Sequence, residues 1–298
     1  MKIYRYKAFG LCIKSQLQIH FLDQTEFNSH DVELKECKDL SLPSKECFDL
    51  PNYAEITASK SIFYKNNVGL FEINNPGYIK YKVISHENMY DFSRVLLGLP
   101  LGYFIHSDSL VLHGSAISKK DSAFGFIGKS GTGKSTLALE CLENGCNFLT
   151  EDILVIEDES IRPSFPFLKS NEHFLEKYKS SLHGKKYTFD SDHLNRVGMK
   201  INDSKFAVKN TKIKKLVLLC SEEKSKNLLY KENDRLKLFK LIFKNTLKPN
   251  PLYIDRDHTK VVMDSIIKLI NQHEFYIADF SFKKIKERNK QIIKLICS

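Results

Sequence analysis

Short apolar runs broken by turn residues dominate the first third of the chain. Ser61-Ile62-Phe63-Tyr64, Val68-Gly69-Leu70-Phe71-Glu72-Ile73 and Tyr78-Ile79-Lys80-Tyr81-Lys82-Val83-Ile84 are rich in aromatic and β-branched residues, and Asn66-Asn67 and Asn74-Asn75-Pro76-Gly77 separate them. This spacing predicts a hairpin series or meander. From Asn88 to Leu97 the period becomes helical: Met89, Phe92, Val95 and Leu96 share one face, and Gly98 and Pro100 mark the end. A soft boundary is expected just after this helix, dividing a β-rich N-terminal part, residues 1–105, from a second part, residues 106–298. No internal repeat and no Gly-, Ser- or Pro-rich linker separates them.

The second part opens with two apolar strands, Ser109–Ser118 and Ala123–Ile127, joined by the polar turn Lys119-Lys120-Asp121. The second strand runs into Gly128-Lys-Ser-Gly-Thr-Gly-Lys134-Ser135-Thr136. Leu137, Ala138, Cys141 and Leu142 then recur with helical spacing up to Gly145, a natural helix stop. Asn147–Thr150, the pair Glu151-Asp152 and Ile153–Ile156 read as strand, acidic turn and strand. Further on, helices are expected near Glu172–Ser180, Asn233–Leu247, Thr259–Gln272 and Phe282–Ile296, with strands near Lys215–Cys220 and Glu274–Phe280.

Composition narrows the class. With 42% hydrophobic and 28% charged residues over 298 positions, the chain is globular and long enough for one large domain or two ordinary ones. The longest uncharged stretch, Val95–Ser107, holds Pro100 and two glycines, short of the roughly 20 apolar residues that a membrane span needs. The N-terminus scatters cations where a signal peptide carries its apolar segment; a cytoplasmic protein without a membrane partner is expected. The seven cysteines contain no Cys-x-x-Cys pair and read as reduced thiols. The net charge of +10 is uneven: residues 168–298 hold 29 Lys and Arg against 15 Asp and Glu, a surplus of 14. Such a field can attract nucleic acid, acidic peptides or phosphate-bearing ligands, although lysines on amphipathic helices of a Lys-rich protein are usually solvated faces. No nucleic-acid motif accompanies it, and the aromatic residues fall inside apolar patterns, so no nucleic-acid partner is expected.

Gly128, Gly133, Lys134 and Ser135 satisfy G-x-x-x-x-G-K-[ST], between an apolar strand and a helix as that loop requires. In such a loop the backbone N–H groups cradle a phosphate at a helix N-terminus, the lysine reaches the β- and γ-phosphates, and the hydroxyl joins the shell of a Mg²⁺ ion. The expected nucleotide-binding set is Gly128, Ser130, Gly131, Thr132, Gly133, Lys134, Ser135 and Thr136, for ATP with Mg²⁺. Phosphoryl transfer to an alcohol also needs a carboxylate on the metal and a base beside the hydroxyl. Glu151 and Asp152, about one helix length beyond the loop, supply both. His113, ending a strand 15 residues before Gly128, could tune a carboxylate or contact the γ-phosphate.

Leu112-His113-Gly114-Ser115-Ala116, the Gly128–Ser135 loop, Gly145 and Glu151-Asp152 together resemble the kinase domain of HPr kinase/phosphorylase, over about residues 106–162. Tyr6-Lys7-Ala8-Phe9-Gly10-Leu11, with Ser15 and Leu17, is similar to the start of the HPr-kinase-related proteins found with lasso-peptide biosynthesis, which phosphorylate a precursor peptide on serine. The resemblance implies an α/β fold: a P-loop nucleotide-binding domain with a mixed sheet, shared with phosphoenolpyruvate carboxykinase, preceded here by the β-rich part. It also implies Glu151 as base for a serine hydroxyl, Asp152 as metal and acceptor-site carboxylate alongside Ser135, and His113 as an active-site histidine. Glu151 stands where the family has Asp, and the downstream Arg-Gly-rich signature has only a distant echo in Arg196-Val-Gly-Met, so HPr itself is not the expected substrate. The expected partner is a peptide or small protein with an accessible serine, with a homo-oligomer possible. A kinase of a small alcohol or sugar and a non-catalytic nucleotide-binding regulator are the alternatives.

Overall fold

The computed structural model describes residues 2–44, 46–47, 50–56, 60–74, 77–106, 109–190, 195–220, 227–247, 256–279 and 284–297. The chain divides into two compact units: residues 1–108 with 187–195 and 248–260, and residues 109–186 with 196–247 and 261–298. The first unit is therefore discontinuous, taking in two short segments from far along the chain.

In the first unit β1 (Tyr4–Ala8), β2 (Leu11–Ser15), β3 (Val32–Glu36), β4 (Asn52–Ile56), β5 (Ser61–Lys65), β6 (Gly69–Asn74) and β7 (Tyr78–Val83) form one sheet in the order β1-β2-β3-β7-β6-β5-β4. Strands β4 to β7 are the antiparallel meander that the pattern predicts. Strand β3 lies parallel to both β2 and β7, which makes the sheet mixed. The first three strands interleave Lys and Arg with buried Tyr6, Ala8, Ile13 and Leu34, so their period-2 pattern is faint. Helix α1 (Met89–Leu97) packs Phe92 on Phe71 and Tyr81, with ring centroids 5.0 and 5.5 Å away. Gly98 ends it, but the chain turns straight into α2 (Leu99–Ile105) with Pro100 in the first turn. There the missing N–H costs nothing, so Pro100 opens a helix that the sequence pattern treats as finished.

The second unit begins with the hairpin β8 (Leu110–Lys119) and β9 (Ser122–Gly128), followed by α3 (Lys134–Glu143). Next come β10 (Asn147–Thr150), β11 (Ile153–Glu157), β12 (Ser160–Ile161) and β13 (Phe167–Ser170), then α4 (Glu172–Lys177), β14 (Leu182–Thr188), β15 (Val197–Ile201) and β16 (Thr211–Cys220). The remainder is β17 (Leu229–Glu232), α5 (Arg235–Phe243), α6 (Arg256–Gln272, in this unit from Val261 on), β18 (Glu274–Asp279) and α7 (Ile285–Cys297). Helix α5 starts two residues later than its apolar spacing predicts because Asp234 caps it, accepting from the Lys237 N–H. Phe280 and Phe282, the expected ends of a strand and a helix, lie outside the described residues.

Strand β16 is the centre of the larger sheet, parallel to β9 on one side and to β18 on the other. Its Val217 and Leu219 join Phe124, Phe126, Leu137 and Ile292 in one core, while Leu216 and Leu218 join Ile242, Ile266 and Ile277 in another. Helices α3 and α7 thus cover one face, and α5 and α6 the other. Burial on both faces explains why the central strands read as unbroken apolar runs. Strands β13, β15 and β14 make a separate small sheet. No helix among the described residues is long and apolar enough to cross a membrane.

Phe126 is fully buried between β16 and α3, so Phe126→Ala is expected to cost about 3–5 kcal/mol in urea unfolding. Leu236→Ala, at a position 63% exposed, should stay within about 0.5 kcal/mol. Similar losses from both would show that the two-faced core is misplaced.

Candidate active site

The strand β9 ends at Gly128, and the turn that follows is shaped by its glycines. A Cβ on Gly128 would lie 2.6 Å from the Leu219 carbonyl oxygen, so no side chain fits where the loop leaves the sheet. Gly133 has φ +87°, a left-handed conformation that starts α3 without a side-chain cap on its N–H groups. Within the loop, Thr132 donates from Oγ1 to the Lys129 carbonyl at 2.9 Å.

Lys134 turns back beneath this loop and is almost fully buried. Its ammonium donates to the carbonyls of Gly128 (2.6 Å) and Lys129 (2.8 Å) and lies 3.1 Å from His113 Nε2. Since an ammonium only donates, Nε2 must accept, which leaves the proton on Nδ1, 3.1 Å from the Asp152 carbonyl. His113 is therefore a neutral bridge between the loop lysine and the acidic turn. Burial, then the Lys134 charge, holds its pKa below the ordinary value. Burial also depresses Lys134 itself, to about 8.

The acidic pair sits where β10 gives way to β11. Both strands run along the same edge of β8, Thr150 opposite Ala116 and Ile153 opposite His113. Between them Asp152 takes φ +64°, which turns the chain and interrupts the ladder, while its carbonyl accepts from Gly114 N. The two carboxylates then diverge. Glu151 is buried and accepts from Ser135 Oγ at 2.8 Å and from the Lys169 N–H at 3.4 Å. Desolvation, then the neighbouring Asp152, raises its pKa to about 7. Asp152 is ion-paired with Lys169. Burial alone would raise its pKa, but Lys169, His113 and Arg196 outweigh that and hold it well below the usual range.

The structure thus gathers His113, Lys134, Ser135, Glu151 and Asp152 around one loop, with Gly128–Gly133 forming the loop and Thr136 in the first turn of α3. It differs from the expected division of labour in one respect: the Ser135 hydroxyl is bonded to Glu151, whereas Asp152 faces Lys169. The reason is the left-handed turn at Asp152, which sends adjacent side chains to different partners. Two cations join the site, Lys169 unforeseen by the pattern and Arg196 visible there only as a distant echo of a family signature. Lys169 lies within the buried strand β13, and its signal is a lone lysine directly after the apolar run Phe165–Leu168. Arg196, just before β15, adds positive charge at Lys134, Glu151 and Asp152.

No family model matches the chain, and no curated protein matches it. A solved structure with some likeness is the HPr(Ser) kinase/phosphatase from Coxiella burnetii, 11% identical over 63% of this chain and 88% of that one, with a TM-score of 0.31. At that score the likeness carries no argument about this site.

The raised Glu151 pKa sets a sign. Because the folded form holds its proton more tightly than the unfolded one, the associated stability is present below about pH 4.5 and lost as pH rises through 7. Glu151→Gln has no such proton to lose, so it should gain on the wild type by on the order of 3 kcal/mol between pH 4.5 and 8. Thermal denaturation across that range is the check. A constant difference would mean that folding does not raise the Glu151 pKa.

Proposed function

We propose that the second unit is an ATP-dependent kinase that moves the γ-phosphoryl group to an alcohol, the serine hydroxyl of a peptide or small protein. The observation that carries this reading is the buried Lys134 ammonium at the mouth of an uncapped helix N-terminus, bonded to two loop carbonyls and to His113. Two carbonyl dipoles are weak partners for a buried cation. Phosphate oxygens in their place would give charge-assisted bonds of roughly twice the strength, while the N–H groups of Gly133 and the first turn of α3 face the same anion.

Ser135 Oγ and the Glu151 carboxylate, 2.8 Å apart, are hard oxygen donors suited to Mg²⁺. No group of three or more His, Cys, Asp and Glu among the described residues could hold a metal alone, which fits an ion that retains water and relies on substrate phosphates. When bound, Mg²⁺ neutralises charge on the phosphoryl oxygens. Asp152 is the candidate base. Kept ionised by Lys169, it accepts the hydroxyl proton as the acceptor oxygen bonds to γ-phosphorus and the bond to the β-phosphate oxygen breaks, releasing ADP. His113 aligns Lys134 with the Asp152 backbone. This assignment exchanges the two carboxylate roles that the family resemblance implies.

The basic C-terminal portion supports an acidic peptide rather than a sugar as acceptor, and the N-terminal resemblance supports a precursor peptide of a lasso-type maturation pathway. Lys134→Ala should lower transfer from labelled ATP at least about 100-fold with the fold retained. Asp152→Asn should lower kcat by about 10²–10⁴ while Mg²⁺-ATP affinity holds, whereas Glu151→Gln should weaken that affinity. Equal binding losses from both would contradict the assignment. A peptide with an accessible serine should exceed free serine and simple sugars in kcat/KM, and added salt should raise its KM. Preference for a sugar would replace the peptide reading by the small-molecule one.

A further inference from the structure

Behind the loop lies a cation that the proposed chemistry does not use. Arg288, on α7, is fully buried, the bulkiest side chain in that state. Its Nε and Nη2 donate to Asn289 Oδ1 at 3.1 and 2.8 Å, and Nη1 reaches the Asp279 carbonyl at 3.5 Å. Asn289 in turn donates to Glu140 Oε2 at 2.8 Å, and Tyr178 donates to Glu140 Oε1 at 3.1 Å. The same edge of the guanidinium passes close to the loop: Nη2 lies 3.4 Å from the place a Cβ on Gly133 would occupy.

We infer that Arg288 is a positioning residue for nucleotide binding, holding the exit of the loop at Gly133 and adding positive charge behind the α3 N-terminus; this rests on the kinase reading above. Two physical points support it. A guanidinium taken out of water loses solvation that an apolar side chain of similar volume would not, so packing alone does not call for arginine here. And the network is tied to α3 at Glu140 through Asn289, while the guanidinium closes off the space beside Gly133 at the start of the helix, so that α7 fixes the helix whose first N–H groups face the anion. A buried cation near a helix N-terminus acts in low dielectric, so its field at a bound triphosphate persists even though Glu140 and Asp279 offset part of it.

The test compares Mg²⁺-ATP affinity by calorimetry with melting temperature for wild type, Arg288→Met, Arg288→Lys and Ile296→Ala. Ile296→Ala removes buried α7 packing without touching the guanidinium. Arg288→Met should weaken ATP binding at least about tenfold, Arg288→Lys by an intermediate factor, and Ile296→Ala little beyond what its melting temperature explains. Should Arg288→Met fail to fold, Arg288→Gln is read by the same criterion. Unchanged ATP affinity without the guanidinium, or an equal loss in Ile296→Ala at equal destabilisation, overturns the inference. If Lys134→Ala abolishes binding while Arg288→Met keeps it, only this inference fails. If the wild type takes up no ATP, the kinase reading fails with it.

Discussion

The second unit is organised around one buried ammonium. Lys134 joins the loop carbonyls of Gly128 and Lys129 to His113, and His113 passes the connection to the backbone of Asp152. A cation so placed must be hydrogen-bonded on every side or lose its charge, because desolvation already draws its pKa down to about 8. That constraint requires a loop whose carbonyls turn inward, a strand residue able to accept, and an acidic turn close by. Each of these is present within a few residues of where β8, β9 and β10–β11 meet.

The sheet makes the meeting possible. Strand β9 lies between β8 and the central β16, so its C-terminal end is fixed on both sides. Strand β8 carries His113 beside β11 while its far half pairs with β10, and the gap between those two strands is the acidic turn. One strand therefore aligns the histidine with both carboxylates. The left-handed Asp152 then gives the two acids distinct environments, one buried against Ser135 and one paired with Lys169. Adjacent carboxylates with pKa values pushed apart are the arrangement that acid–base and metal chemistry share out between them.

Much of this is legible in the sequence. The hairpin, the loop, α3 and the strand–turn–strand that follows lie within a residue or two of their apolar patterns, since consecutive elements there pack on one another. The Gly-Lys-Ser loop and His113 were legible because their chemistry is local in sequence. Lys169 was not, because nothing local distinguishes a lysine in a buried strand from solvated cations in a Lys-rich chain, and Arg196 showed only as a distant echo of a family signature. Arg288 was hidden in an amphipathic pattern, Ile292 and Ile296 marking a buried face that also takes in the arginine. Pro100 shows the opposite failure: a residue that stops one helix can start the next.

The central claim is that the Lys134 loop holds a triphosphate. Phosphorus NMR of Mg²⁺-ATP titrated with the wild-type protein reads that contact directly at the atoms concerned. Saturable shift or broadening of the β- and γ-phosphorus resonances, absent with Lys134→Ala, is the predicted result. Unchanged resonances at protein concentrations of hundreds of micromolar, or identical shifts with Lys134→Ala, would contradict it.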